Sequence, residues 1–500
     1  MKPLAWAAGQ QEQADRLLND LRDLNEGLAF ISGRLNKSSS ILPSRILPHV
    51  WGEENLKTLV EAMTLNDPDL AQCAQFKREV LAATKEALAA AQRAGPARSS
   101  PLRLLPPRIS KRRNTEHSHL IVAELSDRAS GNAEPVLLED KSYERGPQPQ
   151  YEKFVEARVC EVAAILSKTP KPAKMRVLDC VGYVPNRQSK SFSLIFRFPK
   201  DTASSTVPVS LQRLLPSGPN GWDRRQKGRA IPSSWTSKPG LQTRFAMASS
   251  LTQSFSLLQA CGVLHKGIAP ENIIFFQDNE SASGIRDLSQ PFLCGFTWSR
   301  LHGSDYISDH TQGPNLSSTS SLLHSHPAYS FNHNQRYLKV FDLYSLGLVL
   351  LQVGVWRRLA DIADELFPSV KSMINTVGFK LGEGAQSSAS DEWLQQNISE
   401  WQDQLVSRQQ LVAQSDGIAS SDNPRRGFQE CLVKNLEKFL LPEMGEVYTR
   451  VVARCLTGDI ANDGAAVEIV NQISDEDEPE YILQDAIVKN IVEELDKCVV

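Results

Sequence analysis

Apolar positions in the first ninety residues recur at helical spacing. From Leu17 to Leu35, six apolar residues alternate steps of four and three. A second helical pattern begins at Leu56 and includes Met63, and an alanine-rich, helix-favouring stretch follows over residues 70–91. Residues at such steps share one face of a helix, so the pattern predicts three amphipathic helices in a small bundle. The leucine stripe suits ordinary bundle core, and a seam for self-association through these helices is the alternative.

From residue 119 onward the pattern changes to short apolar runs typical of strands. A helical stretch over about 151–166 separates the second run from the third. The four runs are 120–125, 135–141, 175–179 and 192–198.

Residues 262–276 mark a change of element inside a mainly helical second half. Helical spacing ends near Cys261, and Gly262 suits a C-terminal cap. A polar loop containing Pro270 follows, and residues 273–276 form an apolar run of the buried-strand kind. Further on, residues 346–355 are apolar on nearly every side, which predicts a buried helix.

Length and composition narrow the class of protein. The 500 residues predict two or three domains, and 41% hydrophobic with 23% charged residues is ordinary for a globular protein. The net charge of −3 gives no reason to expect nucleic-acid binding. Eight cysteines without a Cys-x-x-Cys pair indicate buried, reduced thiols. With no signal-peptide core and no apolar run long enough to span a membrane, we expect a cytoplasmic protein.

Residues 94–118 are predicted to form a basic, proline-rich linker. Four prolines interrupt any helix there, and basic residues cluster at Lys111, Arg112 and Arg113. A solvated linker is the expected reading. A nuclear signal or a contact with anionic lipid is the alternative for this basic run.

The loop at 262–276 resembles the catalytic loop of protein kinases, which reads His-Arg-Asp-Leu-Lys-Pro-Glu-Asn. His265, Pro270 and Asn272 match that motif. Gly267 stands where the family has its aspartate base, and Ala269 stands where it has the lysine that holds the transferred phosphate. The resemblance implies a kinase fold, and the two replacements argue against kinase chemistry.

Three further segments resemble kinase motifs, in kinase order. Residues 292–297 resemble the Asp-Phe-Gly strand, with Gly295 replacing the metal-binding aspartate and Phe296 retained. Residues 342–354 resemble the central helix, in which Asp342 would bond the backbone of the loop. Residues 448–456 resemble a late helix carrying Arg-Cys-Leu, with Arg454 in the expected place.

The same resemblance implies a vestigial nucleotide site. Lys141 takes the position of the lysine that binds the α- and β-phosphates, and Glu161, with Glu156 as second candidate, takes that of its partner. Asn272 could still offer an oxygen to a metal. Between residues 120 and 141 there is no Gly-x-Gly-x-x-Gly loop, only Gly131. Close backbone approach to phosphates is therefore not encoded, and we expect no cofactor and at most weak ATP binding.

The histidines of the Ser- and His-rich residues 298–335 are expected to be solvated loop side chains. Their spacing is irregular and no cysteine joins them, so no metal site is predicted. They are His302, His310, His324, His326 and His333.

Residues 24–35, followed by a Pro-Ser-Arg-Ile-Leu segment and a tryptophan, resemble the later half of fungal HeLo-type (prion-inhibition and propagation) domains. The apolar helix that such domains carry ahead of this part has no counterpart before Leu17. The resemblance implies a role in incompatibility or cell-death-type signalling. Because that helix is missing, membrane contact is not expected.

Together these features predict an α+β protein in which a small helical bundle precedes a kinase-like, two-lobed domain. The predicted function is that of an inactive pseudokinase, a switch module that binds protein partners; an atypical ATP-binding kinase with degenerate motifs is the alternative. A migrated carboxylate, Asp287 or Asp305, would then supply the missing charge. The predicted divisions are a bundle at 1–93, a linker at 94–118, a small lobe at 119–205, a large lobe at 206–475 with a polar insertion at about 381–427, and an acidic, helical tail at 476–500.

Overall fold

The computed structural model combines one five-stranded antiparallel sheet with a mainly helical remainder, so the α+β fold class is confirmed. No described helix is both long and apolar enough to cross a membrane. The structure describes residues 42–50, 52–92, 102–104, 108–115, 120–126, 133–142, 149–186, 188–200, 202, 207–216, 238–276, 287–301, 323–327, 337–366, 424–460 and 480–498.

Three helices lie at the N-terminal end of the described chain. Helix α1 (Leu42–Ile46) continues into a 3₁₀ turn, and α2 (Glu53–Met63) and α3 (Pro68–Gln92) pack on each other. The Asp67 carboxylate accepts the backbone N–H of Leu70 at 3.0 Å, which caps the start of α3. The leucine stripe from Leu17 to Leu35 lies outside the described residues.

The strands of the sheet are β1 (Ile109–Asn114), β2 (Leu120–Ser126), β3 (Ala133–Ser142), β4 (Cys180–Asn186) and β5 (Ser191–Arg197). Their order in the sheet is β1-β2-β3-β5-β4, and every neighbouring pair is antiparallel. Helix α4 (Pro149–Leu166) follows β3 and packs against β4 and β5.

Part of the predicted linker at 94–118 is a strand, which corrects the prediction for residues 109–114. These residues are an edge strand, because their backbone pairs with β2. The basic run is therefore part of the sheet, and Lys111 Nζ lies 3.0 Å from the Glu124 carboxylate. The backbone of Arg103 forms an isolated parallel β-bridge with Tyr183 of β4.

The second half of the chain is built around a buried helix. All seventeen residues of α7 (Lys339–Val355) are buried, which confirms the buried helix predicted over 346–355 and extends it to Lys339. The other described elements are β6 (Val209–Ser210), α5 (Leu211–Leu214), α6 (Leu241–Ala260), β7 (Val263–Leu264), β8 (Ile273–Phe275), β9 (Phe292–Leu293), β10 (Arg300–Leu301), α8 (Leu359–Leu366), α9 (Pro424–Lys434), α10 (Leu436–Thr457), α11 (Glu480–Ile487) and α12 (Glu493–Asp496).

The described helices at the two ends of the chain share one apolar core with the rest. Leu47 and Phe76 belong to the same buried cluster as Leu348 and Leu495. The described part of the predicted bundle thus lies against the later helices instead of enclosing a core of its own, because its apolar face is covered by α4, α6 and α11. The polar insertion lies mostly outside the described residues, and its predicted last residues, 424–427, begin helix α9.

Candidate functional site

The loop that joins α6 to β8 is held from behind by Asp342 of α7. The Asp342 carboxylate accepts the backbone N–H groups of His265 and Lys266, each at 2.8 Å, and the hydroxyl of Tyr337 at 2.7 Å. This carboxylate is 1% exposed, and burial raises its pKa. The structure thus places Asp342 in the backbone-bonding position that the kinase resemblance implies.

The front of the loop has no side chain at the two positions where a kinase has carboxylates. Gly295 adopts the left-handed region with φ = 90°. A Cβ atom at Gly295 would lie 2.9 Å from Cβ of Asn272 and closer still to the Asn272 amide group. A Cβ at Gly267 would lie 3.0 Å from the carbonyl oxygen of Gly295. The structure therefore leaves no room for a side chain at 295 and little at 267.

Asn272 is the side chain that fills this space. Its amide nitrogen donates to the carbonyl oxygen of Gly267 at 2.7 Å, and its backbone N–H donates to Ala269 at 2.9 Å. Ala269 itself is buried ahead of the short turn formed by Pro270–Asn272. The amide that the sequence suggested as a residual metal ligand thus packs on Gly295 and bonds the backbone of the loop.

A carboxylate that the motif comparison missed lies in the cleft between β3 and residues 295–297. Glu139 of β3 is fully buried, and its oxygens accept the backbone N–H groups of Gly295 at 3.0 Å and Thr297 at 2.9 Å. Burial raises the pKa of Glu139 to about 7, although the backbone donors oppose that shift. Two features of the sequence could have identified Glu139. It interrupts an apolar run, and the two-residue period of a strand places it on the same face as Lys141.

Lys141 and Glu161 are both buried, at 6% and 8% exposure. The Glu161 carboxylate lies 3.3 Å from the guanidinium of Arg158, one turn earlier on α4. The second candidate, Glu156, lies 3.2 Å from both the Arg103 guanidinium and the Tyr183 hydroxyl. Arg158 and Arg103 are partners that the sequence alone did not assign to these carboxylates.

Cationic side chains converge on Lys266, beside Asp342. Its Nζ atom lies 5.1 Å from the centroid of the Tyr337 ring. Burial lowers the pKa of Lys266 to about 7, and the positive charges of Arg300 and Lys141 lower it further, while Asp342 opposes them. Burial and the neighbouring cations therefore disfavour the charged form of Lys266.

His265 and Phe296 pack on each other beneath the loop, with ring centroids 4.6 Å apart. Burial lowers the pKa of His265 to about 4, so the imidazole is neutral at physiological pH. Its Nδ1 accepts the backbone N–H of Gly267 at 3.2 Å. These two motif residues therefore serve as core and loop support.

The prediction of solvated loop histidines is wrong for His324 and His326, which pack on α7. His324 is 3% exposed, and its Nε2 lies 2.8 Å from the Gln352 amide on α7. His326 stacks on Phe341 with centroids 4.6 Å apart, and burial lowers the pKa of His326 to about 4. Both pack on α7 because that helix presents aromatic and amide groups to residues 323–327; His302, His310 and His333 lie outside the described residues.

The remaining predicted residues lie away from the cleft. Arg454 donates to the carbonyl oxygen of Asn490 at 2.9 Å, in the C-terminal segment. Asp287 accepts the backbone N–H of Ser289 at 2.9 Å in an exposed turn, and Asp305 lies outside the described residues. Within the described ranges no group of three or more His, Cys, Asp or Glu residues is placed to hold a metal ion.

Comparison with known proteins adds no family. No protein-family model matches the chain, and no curated protein is significantly similar to it.

Proposed function

We propose that this chain is a catalytically inactive, protein-kinase-like module that acts in signalling by binding protein partners. Its finer fold, in this proposal, is the two-lobed one, with the five-stranded sheet and α4 as the small lobe. The order of elements supports it: a helix after the third strand, a two-residue strand, a long helix, the loop and then a buried helix whose aspartate holds that loop.

The observation that carries the inactive assignment is the closed packing at Gly295. Phosphoryl transfer depends on a carboxylate that binds the metal and on another that positions the attacking hydroxyl. Gly295 and Gly267 occupy those two positions, and the Asn272 side chain fills the space beside Gly295. A nucleotide phosphate and its metal would therefore meet a packed amide and backbone at this point.

Glu139 is the carboxylate on which the alternative, an atypical kinase, would have to depend. Its two oxygens accept N–H groups from Gly295 and Thr297, so it ties the sheet to the segment that replaces Asp-Phe-Gly. A carboxylate with this raised pKa is also protonated in part at neutral pH, which weakens it as a metal ligand. Glu139 is accordingly assigned a structural role, and the leading proposal stands on that geometry.

Thermal unfolding with ATP, alone and with Mg²⁺ or Mn²⁺, tests the proposal. We expect no metal-dependent rise in Tm and no phosphate transfer, because Glu139, the described carboxylate beside Gly295, is engaged by two backbone N–H groups. Lys141→Ala reports whether residual nucleotide binding uses the cleft, and Lys200→Ala, an exposed lysine beyond β5, is its control. A metal-dependent shift accompanied by phosphotransfer that is lost in Glu139→Gln would establish the atypical kinase instead.

A further inference from the structure

The last described residues, 480–498, form a segment that contacts both the interior helices and the start of the described chain. We propose that this segment, the C-terminal clamp, holds residues 42–50 on the helical region and that the two segments detach together while the central core stays folded. The clamp consists of α11, a π-helical turn (Val488–Val492) and α12. This device is independent of what the cleft binds.

The clamp has an apolar face buried against α6 and α10. Ile487 and Ile491 are fully buried, and Leu495 continues the same face one turn later. These positions repeat at steps of four, as for a helix lying on a core. The clamp is therefore docked through one apolar face.

Polar contacts make up much of the remaining interface. The Gln484 amide donates to the backbone carbonyl of Ser256 at 3.0 Å and to its hydroxyl at 2.9 Å. At the other end, the Gln253 amide donates to the Asp496 carboxylate at 2.8 Å, and Ser249 also donates to it. These contacts join the clamp to α6 near both of its ends.

One ion pair joins the clamp to the N-terminal segment. The Arg45 guanidinium of α1 contacts the Glu493 carboxylate of α12, and the two side chains are 5% and 30% exposed. Helix α11 also contacts both α1 and the 3₁₀ turn Leu47–His49. Because Arg45 is almost fully buried, loss of its carboxylate would leave a charge in a poorly solvated place.

Residues 42–50 also contact α3 and α6. Lys77 of α3 donates to the carbonyl oxygen of Leu47 at 2.5 Å, and α1 packs on both α3 and α6. Helix α1 and the 3₁₀ turn, which carry Ile46 and Leu47 at 5% and 0% exposure, are thus held by α3, α6 and the clamp together. The two segments cover one another, so undocking of either favours undocking of both.

Hydrogen exchange on the full chain, followed by mass spectrometry, tests this coupling. Arg45→Glu and Glu493→Arg should each raise exchange about tenfold in both 42–50 and 480–498, with α7 unchanged. The double variant, with the charges exchanged, should restore protection in both segments. Lys438→Glu is the control, because its pair with Glu365 (3.0 Å) is exposed and lies outside the clamp.

The milder Asp496→Asn variant covers the case in which a charge reversal does not fold. It should raise exchange about threefold in both segments, because a charged acceptor of two donors becomes neutral. Faster exchange in 480–498 alone would overturn the proposal. So would an equal rise in α7, since the segments would then unfold only with the whole protein.

Discussion

The two sides of the loop at 262–276 differ in their hydrogen bonds and packing. On the buried side, one carboxylate accepts three hydrogen bonds and the His265 and Phe296 rings are packed together. On the cleft side, the Asn272 side chain packs on Gly295 and bonds Gly267, at positions that the kinase resemblance assigns to reacting groups. The loop is thus supported on its buried side, and on its cleft side positions 267 and 295 have no side chain.

This difference indicates that the loop conformation matters apart from any chemistry. A buried aspartate is expensive to keep unless its hydrogen bonds are all made. Asp342 accepts three such bonds and so fixes the loop beside Gly267 and Gly295. In the proposed function, this fixed loop is a scaffold for binding. Each prediction below weakens or strengthens that contrast.

The largest expected effect is that of Asp342→Ala. Removing this carboxylate leaves two buried backbone N–H groups and the Tyr337 hydroxyl without their acceptor. We expect the free energy of unfolding to fall by about 3–5 kcal/mol. Urea denaturation monitored by circular dichroism measures this loss.

Asp342→Asn is the matched control, because it keeps one side-chain oxygen and the size of the group. Its loss should be smaller, about 1–2 kcal/mol, since one acceptor remains. Equal losses for the two variants would mean that the loop does not depend on these bonds.

A pH dependence from Glu139 should be the next largest effect. Burial raises its pKa from 4.5 to about 7, so the folded protein binds this proton more tightly than the unfolded chain does. Its contribution to stability is therefore complete below pH 4.5 and is lost as the pH rises through 7. The total change is roughly 3 kcal/mol.

Denaturation of the wild type and Glu139→Gln between pH 4.5 and 8.5 isolates that contribution. Gln cannot titrate, so the stability difference between the two proteins should shift in favour of the variant as the pH rises. Other groups cancel in the difference because both proteins share them. A difference that is constant with pH would show that Glu139 keeps an ordinary pKa.

The sequence alone predicts the helices and strands that have a strong apolar pattern. It does not predict contacts between residues that are far apart in the chain. Strand β3 and helix α7 follow from their own residues, and the contact of Asp342 with the loop follows from the motif resemblance. The strand at 109–114 was not predicted, because prolines precede it and its residues are mostly polar or basic. It forms by pairing with β2. Glu139 was overlooked because its role depends on backbone donors more than 150 residues away in the chain.

Substitution at Gly295 tests the closure of the cleft side. Gly295→Ala should reduce the free energy of unfolding by about 2–3 kcal/mol, because strain at positive φ adds to overlap with Asn272. Gly262 is the control: it has a similar φ of +80°, but nothing lies within 4 Å of an added Cβ. Gly262→Ala should lower stability by only about 1 kcal/mol. If the two variants lost the same amount, strain alone would explain both.

The smallest effect, and the sharpest, is the coupling between Gly295 and Asn272. Asn272→Ala alone removes the bond to the Gly267 carbonyl oxygen and should lower stability by about 1 kcal/mol. In the double variant with Gly295→Ala the overlap with the amide group disappears and only the 2.9 Å contact with Cβ of residue 272 remains, so the combined loss should be about 1 kcal/mol less than the sum of the single losses. Urea denaturation of all four proteins gives this coupling energy. Strict additivity would mean that Asn272 does not fill the place of the missing side chain, and the cleft would then retain room that a nucleotide could use.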